Sequence, residues 1–167
     1  MYMAQFSFDI VSDFDKAEMN NVFDQANREI DSRYDFKNTP AKLEWISADK
    51  GGFKITGNSD FQIESIIEII RKKLGARGIS QKVLDITKES ATNNFQTTKE
   101  VPFIKGLTQE KAKKVTTLLR DKLPKVKAQI QGEEVRVMSP KKDELQEAMQ
   151  LIRATEFDFP LDFTNFR

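Results

Sequence analysis

Neither cysteine nor histidine occurs in the sequence. Without cysteine there are no disulfides, no thiolate metal sites and no thiol nucleophile. Without histidine the commonest general base and the commonest metal ligand are gone, and with them every Ser–His arrangement. Catalysis would have to rest on Asp, Glu, Lys, Tyr or Ser, and metal binding on oxygen ligands suited to magnesium or calcium. No carboxylates pair at a spacing that suggests acid–base chemistry. Asp9, Asp13 and Asp15 would meet a hard cation only if the fold brought further oxygens to them, and no EF-hand spacing is present. Phosphate loops are missing too: there is no P-loop and no GxGxxG, and Gly51-Gly52 reads as a hairpin turn. The expectation is a binding protein, not an enzyme, and no cofactor is assigned. The opening Met1-Tyr2-Met3-Ala4-Gln5 has neither a basic n-region nor an apolar h-region, and no stretch approaches ~20 apolar residues. This predicts a cytoplasmic protein with no signal peptide and no membrane span.

What is present is enough to fold. Of the 167 residues 38% are hydrophobic, and 13 are phenylalanine, so a real core is expected in one large domain or two small ones. A half of about 80 residues buries a smaller share of its surface than a larger domain does, which predicts support from the other half or from further subunits. The net charge is only +1, but it is unevenly spread. Residues 96–155 hold 13 Lys/Arg against 8 Asp/Glu, so the second half is the basic one.

Periodicity organises the chain. Phe6, Phe8 and Ile10 alternate as a strand over 5–11, with Phe6 and Phe8 facing the core. A helix fits residues 16–33, with Met19, Val22, Phe23, Ala26 and Ile30 on one stripe and Ser12 or Asp13 as N-cap. Residues 34–42 look like a connection. Two strands, 43–48 and 53–56, flank the turn Asp49-Lys50-Gly51-Gly52. Ser59-Asp60-Phe61-Gln62 then reads as a capping box for a helix carrying Ile63, Ile66, Ile67, Ile70 and Leu74. A short strand over 83–86 completes β-α-β-β-α-β. After a polar stretch over 88–98, read as the boundary, the same order repeats. There is a strand over 99–105 in which Pro102 suggests an edge or bulge, and a helix capped by Thr108. A hairpin turns at Gln131-Gly132-Glu133-Glu134, a helix follows Ser139-Pro140 as N-cap and N1, and a last strand covers 161–166. The predicted fold class is α+β, two ferredoxin-like halves over 1–90 and 98–167, each a four-stranded antiparallel sheet with two helices on one face. The aromatic end segments 5–11 and 161–166 could exchange between the halves, which the sequence leaves open.

Five strings in this order resemble the YajQ family of small bacterial proteins. They are Ser7-Phe8-Asp9-Ile10-Val11-Ser12, Arg33-Tyr34-Asp35-Phe36, Ser59-Asp60-Phe61-Gln62, the run Gln129-Ile130-Gln131-Gly132-Glu133-Glu134-Val135-Arg136-Val137, and Phe163-Thr164-Asn165-Phe166-Arg167. The resemblance spans residues 7–167. It implies a duplicated ferredoxin-like fold similar to RNA-binding modules, and nucleotide binding. Some relatives are described as cyclic di-GMP receptors that act with a transcription factor. No residue-level motif of the family is carried over.

Four regions are candidates for contact, each with a plainer reading beside it. Arg33, Tyr34 and Phe36 form the densest mix of cation and ring, suited to phosphate and base; they could equally close a helix end and the core's rim. Gly132 would let a backbone N–H approach a ligand, and Arg136 points outward beside it; the plainer reading is an ordinary turn and a solvated arginine. Lys111, Lys114 and Lys122 tend to one side of a helix and could hold phosphates, or could simply be solvated. The open faces of the sheets are expected to be poor stacking platforms, because Ser7 and Asp9, not Phe6 and Phe8, would line them, and no RNA-recognition signature occurs. The residues alone reach a two-part binding module; the resemblance implies a nucleotide partner, cyclic di-GMP foremost, and a partner protein such as a transcription factor. The alternative is direct RNA or DNA binding through the open sheets and the basic half. No membrane partner is expected, and the oligomeric state is left open.

Overall fold

The computed structural model describes residues 5–167, so four of the five residues behind the signal-peptide expectation lie outside the described part. The described residues form eight strands and four helices. They are β1 (Phe6–Val11), α1 (Lys16–Ser32), β2 (Lys42–Trp45), β3 (Gly52–Gly57), α2 (Asp60–Ala76), β4 (Ala91–Asn93), β5 (Gln96–Pro102), α3 (Gln109–Lys122), β6 (Lys127–Gln131), β7 (Glu134–Ser139), α4 (Lys142–Ala154) and β8 (Asp162–Thr164). One-turn 3₁₀ helices cover Tyr34–Phe36 and Gln81–Val83. The fold is α+β, with two four-stranded antiparallel sheets that each carry two helices, as a pair of ferredoxin-like halves requires.

The halves are not successive, and this corrects the expected division at 1–90 and 98–167. One compact unit joins the residues up to Asp13 to Lys105–Arg167; the other is Phe14–Ile104. In the first unit the sheet order is β6-β7-β1-β8, with β1 antiparallel to β7 from Phe6 opposite Ser139 to Val11 opposite Glu134. In the second the order is β2-β3-β5-β4, so the chain's fifth strand takes the central place that a first strand holds in the ordinary fold. The second unit is thus a circularly permuted ferredoxin-like fold inserted after β1. The physical reason is the core face of each strand. Phe8 and Ile10 of β1 are fully buried in one unit, and Val101 of β5 is fully buried in the other opposite Phe53.

Local chemistry explains the elements and several departures. Asp15, not Ser12 or Asp13, caps α1: its carboxylate accepts from the N–H groups of Ala17 (2.8 Å) and Glu18 (3.1 Å). Ser59 caps α2 as expected, accepting from Gln62 N (3.2 Å), but the Gln62 side chain reaches back one residue further, accepting from Asn58 N (2.8 Å). The expected strand over 83–86 is a 3₁₀ turn followed by a single bridge, Leu84 to Phe103. The expected connector 88–98 contains β4 and the start of β5, joined by a two-residue turn. Pro102 falls at the end of a central strand, opposite Gly52, and its carbonyl accepts from Asp85 N (2.9 Å). Ser139 ends β7 instead of capping α4; Lys141 holds the cap position, and the Ser139 hydroxyl donates to Glu144 (2.5 Å).

The second unit is held by an isoleucine-rich helix against an aromatic cluster. Ile63, Ile66, Ile67, Ile69 and Ile70 of α2 are all buried. Phe53 is fully buried and lies within 6.1 Å, centroid to centroid, of Phe23, Trp45 and Phe103. Trp45 is the chain's one tryptophan and reports on this cluster directly. Phe53→Ala is expected to destabilise the unit by about 3–5 kcal/mol, the usual cost of emptying a buried phenylalanine site, as measured by urea denaturation followed through Trp45 fluorescence.

Candidate functional site

At one end of the Phe14–Ile104 unit, three segments converge. β3 ends at Gly57, opposite Thr97 near the start of β5, and α2 begins just beyond it. Asn93 pairs with Gln96, so the turn Asn94-Phe95 lies at this same end. Residues 33–41 arrive here too, because β2 begins at Lys42, opposite Thr56. Side-chain hydrogen bonds tie the segments together. Gln62 Nε2 donates to Thr39 Oγ1 (3.2 Å), Thr39 Oγ1 donates to the Phe36 carbonyl (2.5 Å), and Ser90 Oγ donates to Asp60 Oδ1 (2.5 Å).

This end displays rings to solvent. Tyr34 is 86% exposed, Phe61 82% and Phe95 93%. Such exposure on a framework fixed by hydrogen bonds is what a stacking platform needs. Of the predicted trio, only Tyr34 is in this position. Phe36 is buried in the core, so it serves structure. The Arg33 guanidinium donates from Nε (2.9 Å) and Nη2 (2.6 Å) to the Asp35 carboxylate and lies 4.5 Å from the Phe36 ring centre. The bidentate pair raises the Arg33 pKa and lowers that of Asp35. Lys37 Nζ sits 6.0 Å from the Tyr34 ring centre and supplies a cation beside the exposed ring. Phe61 and Phe95 were missed by sequence reasoning, though the signal existed for Phe61. In a helix whose buried stripe begins at Gln62 and Ile63, Phe61 falls off the stripe.

The other unit carries Gly132 and Arg136. Gly132 is at the β6–β7 turn with φ +61, and a side chain there would meet nothing within 4 Å, so its backbone is open to approach. Gln131, Glu133 and Glu134 of this turn line a shallow cavity of about 220 Å³ with Val11, Ser12, Asp13, Lys105 and Gly106. Three carboxylates and one lysine there disfavour phosphate. Arg136 is not a solvated arginine: Nε (2.9 Å) and Nη2 (3.3 Å) donate to the Asp9 carboxylate. Asn165, in the left-handed region at φ 57, adds a third bond from Nδ2 to Asp9 Oδ2 (2.8 Å). Asp9 is buried although it stands on the sheet face turned away from Phe8 and Ile10. That face carries Ser7, Asp9 and Val11 beside Met138, Arg136 and Glu134; the matching face of the second sheet carries Lys42, Glu44, Lys54, Thr56, Thr98 and Glu100. No ring lies among these positions.

The three predicted phosphate lysines lie along α3. Lys114 and Lys122 are exposed, while Lys111 is half-buried with Nζ 5.4 Å from the Phe159 ring centre. Lys122 also lines a shallow cavity of about 230 Å³ with Leu123, Pro124, Lys125, Val126, Glu144 and Glu147. Among the described residues no group of three or more Asp or Glu is placed to hold a metal ion, and no helix is long and apolar enough to cross a membrane.

Two ferredoxin-like units, with the exposed rings of Tyr34, Phe61 and Phe95 at the end of one and polar outer sheet faces, define an α+β protein. The chain belongs to the YajQ-like nucleotide-binding protein family, whose model matches residues 6–167. It is 42% identical over 161 residues to a nucleotide-binding protein of Trichodesmium erythraeum, covering 96% of this chain and 97% of that one. A nucleotide-binding protein of Nocardioides is 40% identical over 166 residues, covering 99% of this chain and all of its own. A third, from Nostoc punctiforme, is 40% identical over 162 residues, covering 97% and 98%.

The buried carboxylate gives the first unit a pH dependence. The Arg136 hydrogen bonds hold the Asp9 pKa below its ordinary value, against the opposing push of burial, and Asn165 assists. A lowered carboxyl pKa contributes stability that is complete above the unfolded value, about 3.9, and is lost as pH falls through the folded value. Urea denaturation followed by circular dichroism is therefore expected to show stability falling below about pH 4. Asp9→Asn is expected to cost about 1–3 kcal/mol at pH 7 and to weaken that acid dependence.

Proposed function

We propose that this protein binds a nucleotide at the aromatic end of the Phe14–Ile104 unit, with cyclic di-GMP as the leading ligand. Binding there would alter contacts with a partner protein such as a transcription factor. The observation that carries the reading is the exposure of Tyr34 and Phe61 on segments joined through Thr39 and Gln62. Bases stack on rings irrespective of sequence, at about 1–3 kcal/mol per base. A cyclic dinucleotide offers two bases, and two rings on neighbouring segments suit it better than one. Lys37 would meet the phosphates, and Arg33 could do so by turning from Asp35. The relatives named as nucleotide-binding proteins and the family support the ligand class. The site holds its ligand without transforming it, and the protein acts in the cytoplasm.

A second reading, direct binding of RNA or DNA, is favoured by the exposed Lys114 and Lys122 on α3 with Lys111 nearby. Salt separates the two readings, because a polyanion held by many phosphate contacts loses affinity steeply as salt rises and a dinucleotide does not.

Calorimetric titration with ATP, GTP, cyclic di-GMP and a short RNA tests both. Cyclic di-GMP is expected to bind with weak salt dependence and to be recovered intact after incubation with magnesium. Tyr34→Ala and Phe61→Ala are each expected to weaken it about tenfold, the loss of one stacked base. No binding by any nucleotide, or wild-type affinity in both variants, would contradict the proposal.

A further inference from the structure

Edge strands invite pairing with another chain, and proteins ordinarily guard them with charge or proline. Three of the four edge strands among the described residues are guarded. β2 carries Lys42 and Glu44, β6 carries Lys127, and β8 carries Asp162. The fourth, β4, is Ala91-Thr92-Asn93, with neither charge nor proline. It lies within a charge-free run over 90–98, in a chain of which 32% is charged. Every residue from 91 to 96 is exposed.

The adjoining turn is built at a local cost. Asn94 (φ 51) and Phe95 (φ 65) are both in the left-handed region, the geometry of a two-residue hairpin turn whose second position is ordinarily glycine. A phenylalanine held there, 93% exposed, makes no contact that repays the strain. Just before β4, Ile86 is a second exposed apolar residue. The segment in between is fixed, with Lys88 Nζ 3.6 Å from Glu100 and Ser90 Oγ bonded to Asp60.

We infer that the outer edge of β4 pairs with β4 of a second copy of this chain, giving a two-fold dimer. Two copies laid antiparallel about Thr92 set Ala91 opposite Asn93 of the second copy. The same register brings each Phe95 turn alongside residues 86–89 of the other copy, where Ile86 is exposed. Each exposed apolar residue of this segment then covers its counterpart. A two-fold contact requires an edge complementary to itself, and a neutral edge meets no like charge in its own image. The absence of cations over 90–98 likewise disfavours nucleic acid as the occupant. With a three-residue strand at its centre the interface is small, so the dimer is a weak one. The inference does not depend on the nucleotide reading.

Sedimentation velocity on the full chain, from micromolar to millimolar concentration, tests it. The wild type is expected to pass from monomer to dimer as concentration rises. Phe95→Gly should weaken association at least tenfold while raising Tm, since glycine relieves the turn. Ala91→Lys, which restores a guard charge to the edge, should weaken it likewise with Tm nearly unchanged. A monomer at every concentration would overturn the inference and leave β4 as an edge for some other protein chain. A dimer that both variants leave intact would overturn it as well. So would a fall in Tm for Phe95→Gly, because it would mean the ring serves the fold.

Discussion

The antiparallel ladder between β1 and β7 constrains everything else in this chain. It joins the first described strand to one more than a hundred residues later, so the residues between must leave and return at one place. They leave after Asp13 and return at Lys105, where Gly106 N donates to the Ser12 carbonyl (2.6 Å). The intervening chain satisfies its own sheet by supplying β5 for the central place that β1 would have filled. Two ferredoxin-like units result, one closed by the chain's two ends and one permuted.

The same ladder places chemistry. Because β1 lies between β7 and β8, Asp9 faces Arg136 on one side and Thr164 on the other, with Asn165 just beyond. Burying a carboxylate is costly unless it is paired and hydrogen-bonded, and three bonds meet that need. The face that could have been a bare binding sheet is therefore neutralised from within. The exposed rings of Tyr34, Phe61 and Phe95 lie instead where loops meet in the Phe14–Ile104 unit, beside the start of α2, on backbone held by Thr39, Gln62 and Ser90. Loops fixed by a rigid scaffold are where binding groups ordinarily lie.

Much of this was legible in the sequence, for reasons that also mark the limits. Helices α1 and α2 and strands β1, β3 and β7 could be read because apolar spacing is a local signal. Which strand joins which sheet is not local: nothing in the string of β1 or of β5 says that they trade places. The stretch 88–98 read as a connector because Thr, Asn and Gln are turn-like, yet an edge strand needs little apolar content, and Thr97 is the one buried residue between 88 and 98. Tyr34 was found through its neighbours Arg33 and Phe36, whose own roles proved to be an internal ion pair and a core contact. The partner of Arg136 was hidden because Asp9 is distant in sequence.

Phe14–Ile104 is a permuted unit whose sheet closes without β1. Expressing residues 14–104 alone and heating the fragment while recording Trp45 fluorescence tests this most directly. A cooperative transition is expected, with the emission of a half-buried, stacked indole at low temperature. A featureless, solvent-exposed emission with no transition would contradict it.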